Sequence, residues 1–165
     1  VLYFIGENFQ MQSHDVEVVS NFVGESIAQR SRYLAGFRPP QLKKGAWVVC
    51  DRYTDSTYAY QCGGRGMPEE RVAVLEQWVH GELQPDLTFL FDAPLDVARE
   101  RLEKGTSHPD KFEREQREFF AKVREAYLQR AAKFPARIKV INSARGLEEI
   151  QAELAAYIGA LMEAA

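Results

Sequence analysis

Trp47-Val48-Val49-Cys50-Asp51-Arg52-Tyr53-Thr54-Asp55-Ser56-Thr57-Tyr58-Ala59-Tyr60-Gln61-Cys62-Gly63-Gly64-Arg65-Gly66 is the stretch that decides the fold. Trp47 to Cys50 is a short apolar run with two β-branched valines. Lys43-Lys44-Gly45 lies just ahead of it and Asp51-Arg52 ends it, the pattern of a strand buried on both faces. Such strands belong to parallel sheets, and in an open α/β sheet ligands bind beyond the carboxyl ends of the strands. Asp51 and Arg52 therefore fall where chemistry is expected. The carboxylate can hold a metal through its water shell, and the planar guanidinium fork matches phosphate oxygens.

Working outward, Thr54 to Gln61 is expected to begin a helix, and Thr57, Tyr60 and Gln61, three and four residues apart, can share one face of it. Cys62 falls in a glycine-rich turn. Met67 to His80 reads as a helix, with Pro68 near its first turn and glutamates following. Leu87 to Phe91 is a second buried strand, closed by Asp92, which we read as structural or supporting. Pro94 to Lys104 gives a further helix. Lys104 to Arg114 reads as a loop of small and polar residues around Pro109. Phe112 to Phe134 is the longest helix, and its stripe of Phe112, Phe119, Val123, Tyr127, Ala131 and Phe134 is read as core. Ile138 to Ile141 is a last strand and Leu147 to Met162 an amphipathic closing helix. Toward the amino end, Val1 to Ile5 reads as a strand and Asp15 to Phe37 as a helix. The fold class this implies is α/β, a parallel β-sheet sandwiched by helices.

The chain's 165 residues, 45% of them hydrophobic, supply one good core, so a single domain is expected. A net charge of −3 argues against broad electrostatic binding to nucleic acid or to an anionic membrane, and leaves room for a small anionic ligand met by a few local cations. Two cysteines make neither a disulfide framework nor a metal site. No apolar run reaches the roughly 18–20 residues of a membrane span, and no signal peptide is evident. A cytoplasmic protein is the expectation.

Asp51-Arg52-Tyr53, Ser56-Thr57, Ala59-Tyr60-Gln61 and Gly63-Gly64-Arg65-Gly66 together resemble the Asp-Arg-Tyr signature of bacterial thymidylate kinase, within the P-loop nucleoside-monophosphate kinase family. The resemblance implies the nucleotide-kinase type of P-loop NTPase fold. It also implies transfer of the ATP γ-phosphoryl group to dTMP, giving dTDP, with Mg²⁺ and in a homodimer. On the matching positions it gives Arg52 the acceptor phosphate, Asp51 the Mg²⁺ or its water, Thr57 the base, Gln61 a place in substrate binding, and Tyr60 the sugar position where a 2′-hydroxyl would sit. The family's base-stacking aromatic and base-bonding arginine fall nearest to Phe22 and Arg30. These are eight residues apart, and a core phenylalanine with a solvated arginine is the other reading of them. The loop around residues 104–114 corresponds to the lid, where Asp110-Lys111-Phe112-Glu113 places Lys111, with Arg114, over the phosphates.

One part of the family pattern is missing. A Gly-x-x-x-x-Gly-Lys-Ser/Thr loop, whose backbone N–H groups and lysine wrap the ATP phosphates, should follow the first strand. Instead Gly6 leads into Glu7-Asn8-Phe9-Gln10-Met11-Gln12-Ser13-His14, and the next lysine is Lys43. We expect the N-terminal part to be incomplete or altered relative to the family, in preference to a loss of ATP binding. The alternatives to a dTMP kinase are a nucleotide-binding or scaffold protein that keeps the acceptor pocket without transferring phosphate, and a related deoxynucleoside or nucleotide kinase.

Overall fold

A computed structural model describes residues 2–5, 16–19, 42, 47–94, 97 and 111–164. Its elements are strands β1 (Leu2–Ile5), β2 (Val16–Val19) and β3 (Trp47–Asp51), then helix α1 (Thr54–Thr57), which continues as π-helix through Tyr58–Gly64. Helix α2 (Glu69–His80), strand β4 (Leu87–Asp92), helix α3 (Lys111–Lys133), strand β5 (Ile138–Asn142) and helix α4 (Leu147–Ala164) follow.

The strands form one sheet in the order β2-β3-β1-β4-β5. β2 runs parallel to β3 and β4 parallel to β5, while β1 lies antiparallel to both β3 and β4, so four strands share one direction and β1 opposes them. The α/β fold with helices on the sheet is as expected. The direction of β1 is not, because a four-residue apolar strand satisfies its neighbours' backbone groups in either sense.

A second correction concerns β2, since Val16–Val19 was expected to open a helix running to Phe37. It pairs instead with Trp47–Cys50 of β3, and β-branching decides the outcome, because valine loses side-chain freedom in a helix and packs well on a pleated surface. Residues 20–37 lie outside the described residues, as does the helix expected over Pro94–Lys104 apart from Pro94 and the helical Val97.

Alternation along β4 explains how the sheet is covered on both faces. Leu87 and Phe89, with Ile141 of β5, meet Ile150, Leu154, Tyr157, Ile158 and Leu161, which recur at helical spacing along α4. On the other face Leu90 and Ile138 pack on Ala131 of α3, flanked by Tyr127, Leu128 and Phe134. Phe89 has no exposed surface, and burial of such a side chain contributes about 2–3 kcal/mol.

Helix α2 begins after Pro68 with Glu69 and Glu70 in its first turn, where carboxylates suit the helix dipole. Gly81 ends it at φ +59, a conformation that glycine adopts without steric cost. Among the described residues no helix is long and apolar enough to cross a membrane.

Candidate active site

Strand β3 delivers Asp51 and Arg52 to the carboxyl edge of the sheet, and both side chains are exposed. Arg52 has φ +69, the one described non-glycine residue with a positive φ. This left-handed geometry costs an L-residue about 1–2 kcal/mol. Strain of that kind persists only where the surroundings impose it, and it clusters at ligand sites. The Arg52 guanidinium lies 5.4 Å from the centre of the Tyr60 ring. Just before it, the Cys50 thiol donates to the Arg52 carbonyl at 3.3 Å. Burial, and then the charge of Asp51, push that thiol up to about 11, which keeps it protonated and unreactive at neutral pH.

Behind this exposed edge, α1 is fixed by buried polar contacts. Asp55, 1% exposed, accepts from Arg130 Nε at 2.6 Å and from the two terminal nitrogens of Arg137 at 2.7 and 2.9 Å. Burial alone would raise its carboxyl, but the hydrogen bonds and charges of the two arginines outweigh that and hold it below the ordinary range. Arg130 also lies 3.8 Å over the Tyr58 ring. Glu76 of α2 accepts from Thr54 at 2.7 Å, Tyr58 at 2.8 Å and Gln84 at 3.0 Å. Its burial acts upward, and those three hydrogen bonds with the charge of Arg130 bring the net shift downward. Tyr53 completes the anchoring by donating to the Leu83 carbonyl at 3.0 Å.

Cys62, expected in a turn, lies inside the π-helical segment Tyr58–Gly64, and it and Cys50 are free thiols. Widened turns of this kind recur at functional sites. Gly63 and Gly64 let α3 come close: a Cβ on Gly63 would lie 2.3 Å from the Ala126 Cβ, and one on Gly64 2.5 Å from the Phe119 ring. The approach brings the edges of Phe119 and Tyr127 to the half-buried Tyr60, at centroid distances of 6.1 and 6.4 Å. Tyr127 also donates to the Ser56 hydroxyl at 2.7 Å. Gln61 accepts from Arg65 at 3.1 Å, and Thr57 is exposed on the same segment.

Of the residues named from sequence, the structure brings Arg52 and Tyr60 into contact, with Asp51, Thr57 and Gln61 on the same strand end and helix. Lys111 and Arg114 lie in the first turn of α3, so the last four residues of the expected lid are helical; residues 104–110 lie outside the described residues, and so do Phe22 and Arg30. Asp92 is structural, gripped by Arg124 through two hydrogen bonds of 2.6 and 2.7 Å. Sequence reasoning missed the anchoring set of Asp55, Glu76, Arg130 and Arg137, and read Tyr127 as core without its hydrogen bond to Ser56. The only signal for that set lies inside the motif itself, where the Asp55 carboxylate and the Ser56 hydroxyl follow Arg52 on the segment expected to begin a helix.

No three His, Cys, Asp or Glu side chains among the described residues are grouped to hold a metal ion. The donor these residues offer is the exposed Asp51 carboxylate. That suits Mg²⁺, which keeps several waters and takes one or two carboxylates together with substrate phosphates.

A sheet with parallel strands, helices on both of its faces and an aspartate–arginine pair at the end of β3 matches the nucleotide-kinase type of P-loop NTPase fold. The family model described as thymidylate kinase matches residues 15–154. Among curated relatives, the thymidylate kinase of Bordetella petrii is 52% identical over 137 residues, covering 83% of this chain and 66% of that protein. That of Chromohalobacter salexigens is 52% identical over 132 residues, covering 80% and 62%. The crystal structure of thymidylate kinase from Ehrlichia chaffeensis superposes with a TM-score of 0.58 at 26% identity, covering 80% of this chain and 60% of that one. The chain belongs to the thymidylate kinase family. It spans about two thirds of the length of the curated relatives it matches, from 62 to 66% for these two.

Proposed function

We propose that the protein transfers the γ-phosphoryl group of ATP to dTMP, giving dTDP, and that the described residues build its acceptor side. The observation that carries this reading is Arg52, held in a left-handed backbone conformation at the carboxyl end of β3 with its guanidinium over Tyr60. Phosphoryl transfer asks little covalent chemistry of a protein, so rate comes from alignment and charge neutralisation. Arg52 binds and orients the acceptor phosphate through its planar fork. Thr57 and Gln61 hydrogen-bond the nucleoside, and Tyr60 stands at the sugar. Lys111 and Arg114, at the start of α3, neutralise phosphate charge as the lid closes. Asp51 would hold Mg²⁺, which when bound offsets charge on the phosphate oxygens.

The family resemblance extends the proposal to a homodimer in the cytoplasm. Helix α2 leaves Val74, Leu75 and Trp78 exposed, an apolar surface of the kind that subunit contacts cover. Sedimentation equilibrium would then read twice the chain mass, whereas a monomer at micromolar concentration would remove the dimer from the proposal.

The central test measures dTMP binding and ATP-dependent dTDP formation in the wild type and in Arg52→Ala. Loss of one preorganised donor to a charged group predicts a fall in kcat/KM of about 10²–10³-fold. The melting temperature should not fall. A variant with wild-type turnover, or a wild-type protein that neither binds nor phosphorylates dTMP, would overturn the assignment.

A further inference from the structure

Steric selection at a sugar needs more than a large side chain in the right place. A ring that can swing aside or sink back admits the extra hydroxyl at little cost, so the gate discriminates only as well as it is backed. Three side chains meet the Tyr60 ring. The Arg52 guanidinium lies 5.4 Å from its ring centre, Phe119 meets it edge-on at 6.1 Å and 64°, and Tyr127 edge-on at 6.4 Å and 86°.

The three supports differ in how firmly they are held. Arg52 is exposed and would move with a bound phosphate. Phe119 is half-buried and presents only a hydrocarbon edge. Tyr127 is tethered at its far end, where its hydroxyl donates at 2.7 Å to Ser56, itself 8% exposed and 71 positions away in the chain. Burial is the largest influence on that hydroxyl and pushes it up to about 12, so at neutral pH it remains a proton donor to Ser56. Ser56 sits one residue from Asp55, which Arg130 and Arg137 fix to α3 and to the start of β5. Tyr127 thus ties the base of α1 to the ring that α1 carries into the site.

We infer that Tyr127 is a positioning residue for nucleotide selection: by holding the Tyr60 ring from behind, it sets how strongly a deoxyribonucleotide is preferred over its 2′-hydroxy counterpart. The inference rests on the proposed place of Tyr60 at the sugar. It concerns a ratio of affinities, which a purely structural role for Tyr127 would leave unchanged.

The experiment measures equilibrium binding of dTMP and of ribothymidine 5′-monophosphate to the wild type, Tyr127→Phe and Tyr127→Leu, each checked for a cooperative thermal transition. Binding is read without ATP, so the result depends only on the acceptor side. The wild type should prefer dTMP. Tyr127→Leu removes an aromatic edge contact and leaves room behind Tyr60, so the preference should fall about tenfold, chiefly through tighter binding of the ribonucleotide. Tyr127→Phe keeps the edge but loses the tether to Ser56, so the preference should fall by less than in Tyr127→Leu, and an unchanged ratio would show that the tether has no part in the selection. If Tyr127→Leu does not fold, Tyr127→Met fills similar volume without a ring and carries the same expectation.

A leucine or methionine variant with the wild-type ratio, or one that loses both nucleotides equally, would overturn the role of Tyr127 while leaving dTMP as the ligand. A wild type that binds dTMP without preferring it would overturn the place given to Tyr60, and one that does not bind dTMP would remove the functional reading and this inference together.

Discussion

Asp51 with Arg52, and Asp55 with Arg130 and Arg137, use the same two side-chain types on aspartates only a few residues apart, and the fold treats them in opposite ways. In the second set both carboxylate oxygens of Asp55 accept guanidinium N–H groups at 2.6–2.9 Å, and the carboxylate is 1% exposed. That capacity is used up inside the protein. In the first set both side chains are exposed at the edge of the sheet, and Arg52 accepts an unfavourable backbone geometry to stand there. The difference teaches that charge marks a site only where the fold leaves it available. The sealed set holds α1 rigid so that the open set can be presented.

The most damaging way to break this comparison is Asp55→Ala. It leaves two guanidiniums facing each other with no carboxylate, and removal of one partner from a buried pair costs about 3–5 kcal/mol. Chemical denaturation should read a loss of that size, and a loss below about 1 kcal/mol would mean the buried set contributes little to holding α1. The same group sets an acid limb. Its folded-state carboxyl lies below its unfolded value of about 3.9, so its contribution is complete above that value and is lost as pH falls through the carboxylate range toward the folded pKa. Glu76 shifts in the same direction and adds to the effect. Stability measured from pH 7 down to pH 3 should therefore fall less steeply in Asp55→Asn than in the wild type.

The open set was legible in the sequence and the sealed set was not, for a physical reason. Trp47 to Arg52 announces itself locally, because an apolar run that stops at two charges already fixes a strand and its exposed end. β4, β5, α3 and α4 were legible in the same local way. Asp55 meets Arg130 and Arg137 across 75 and 82 residues, and Ser56 meets Tyr127 across 71, separations over which no short pattern carries information. β2 failed differently. Val16 to Val19 fits the first turn of a helix as well as a strand, and only the partner strand β3 resolves the ambiguity. In β1 four consecutive apolar residues carry no mark of direction, so pairing alone sets it antiparallel.

The finest test of the comparison bears on the strain at Arg52. At an ordinary helical position such as Ala73 of α2, replacing alanine by glycine should cost about 1 kcal/mol, because glycine has more freedom to lose on folding. At Arg52 the order should reverse. Both Arg52→Ala and Arg52→Gly remove the guanidinium, so they lose the same function, but at φ +69 only glycine escapes the clash of Cβ with the backbone. That clash is worth about 1–2 kcal/mol and the extra freedom of unfolded glycine offsets about 0.5–1 of it, so Arg52→Gly should be the more stable of the two by roughly 0.5–1 kcal/mol. Paired urea denaturation curves resolve such a gap when the slopes agree. An equal or less stable glycine variant would mean that the chain does not carry this strain in solution, and the contrast between the two aspartate–arginine sets would reduce to exposure alone. A more stable glycine variant that has lost dTMP binding would show the strand end kept in a costly geometry because the phosphate has to be met there.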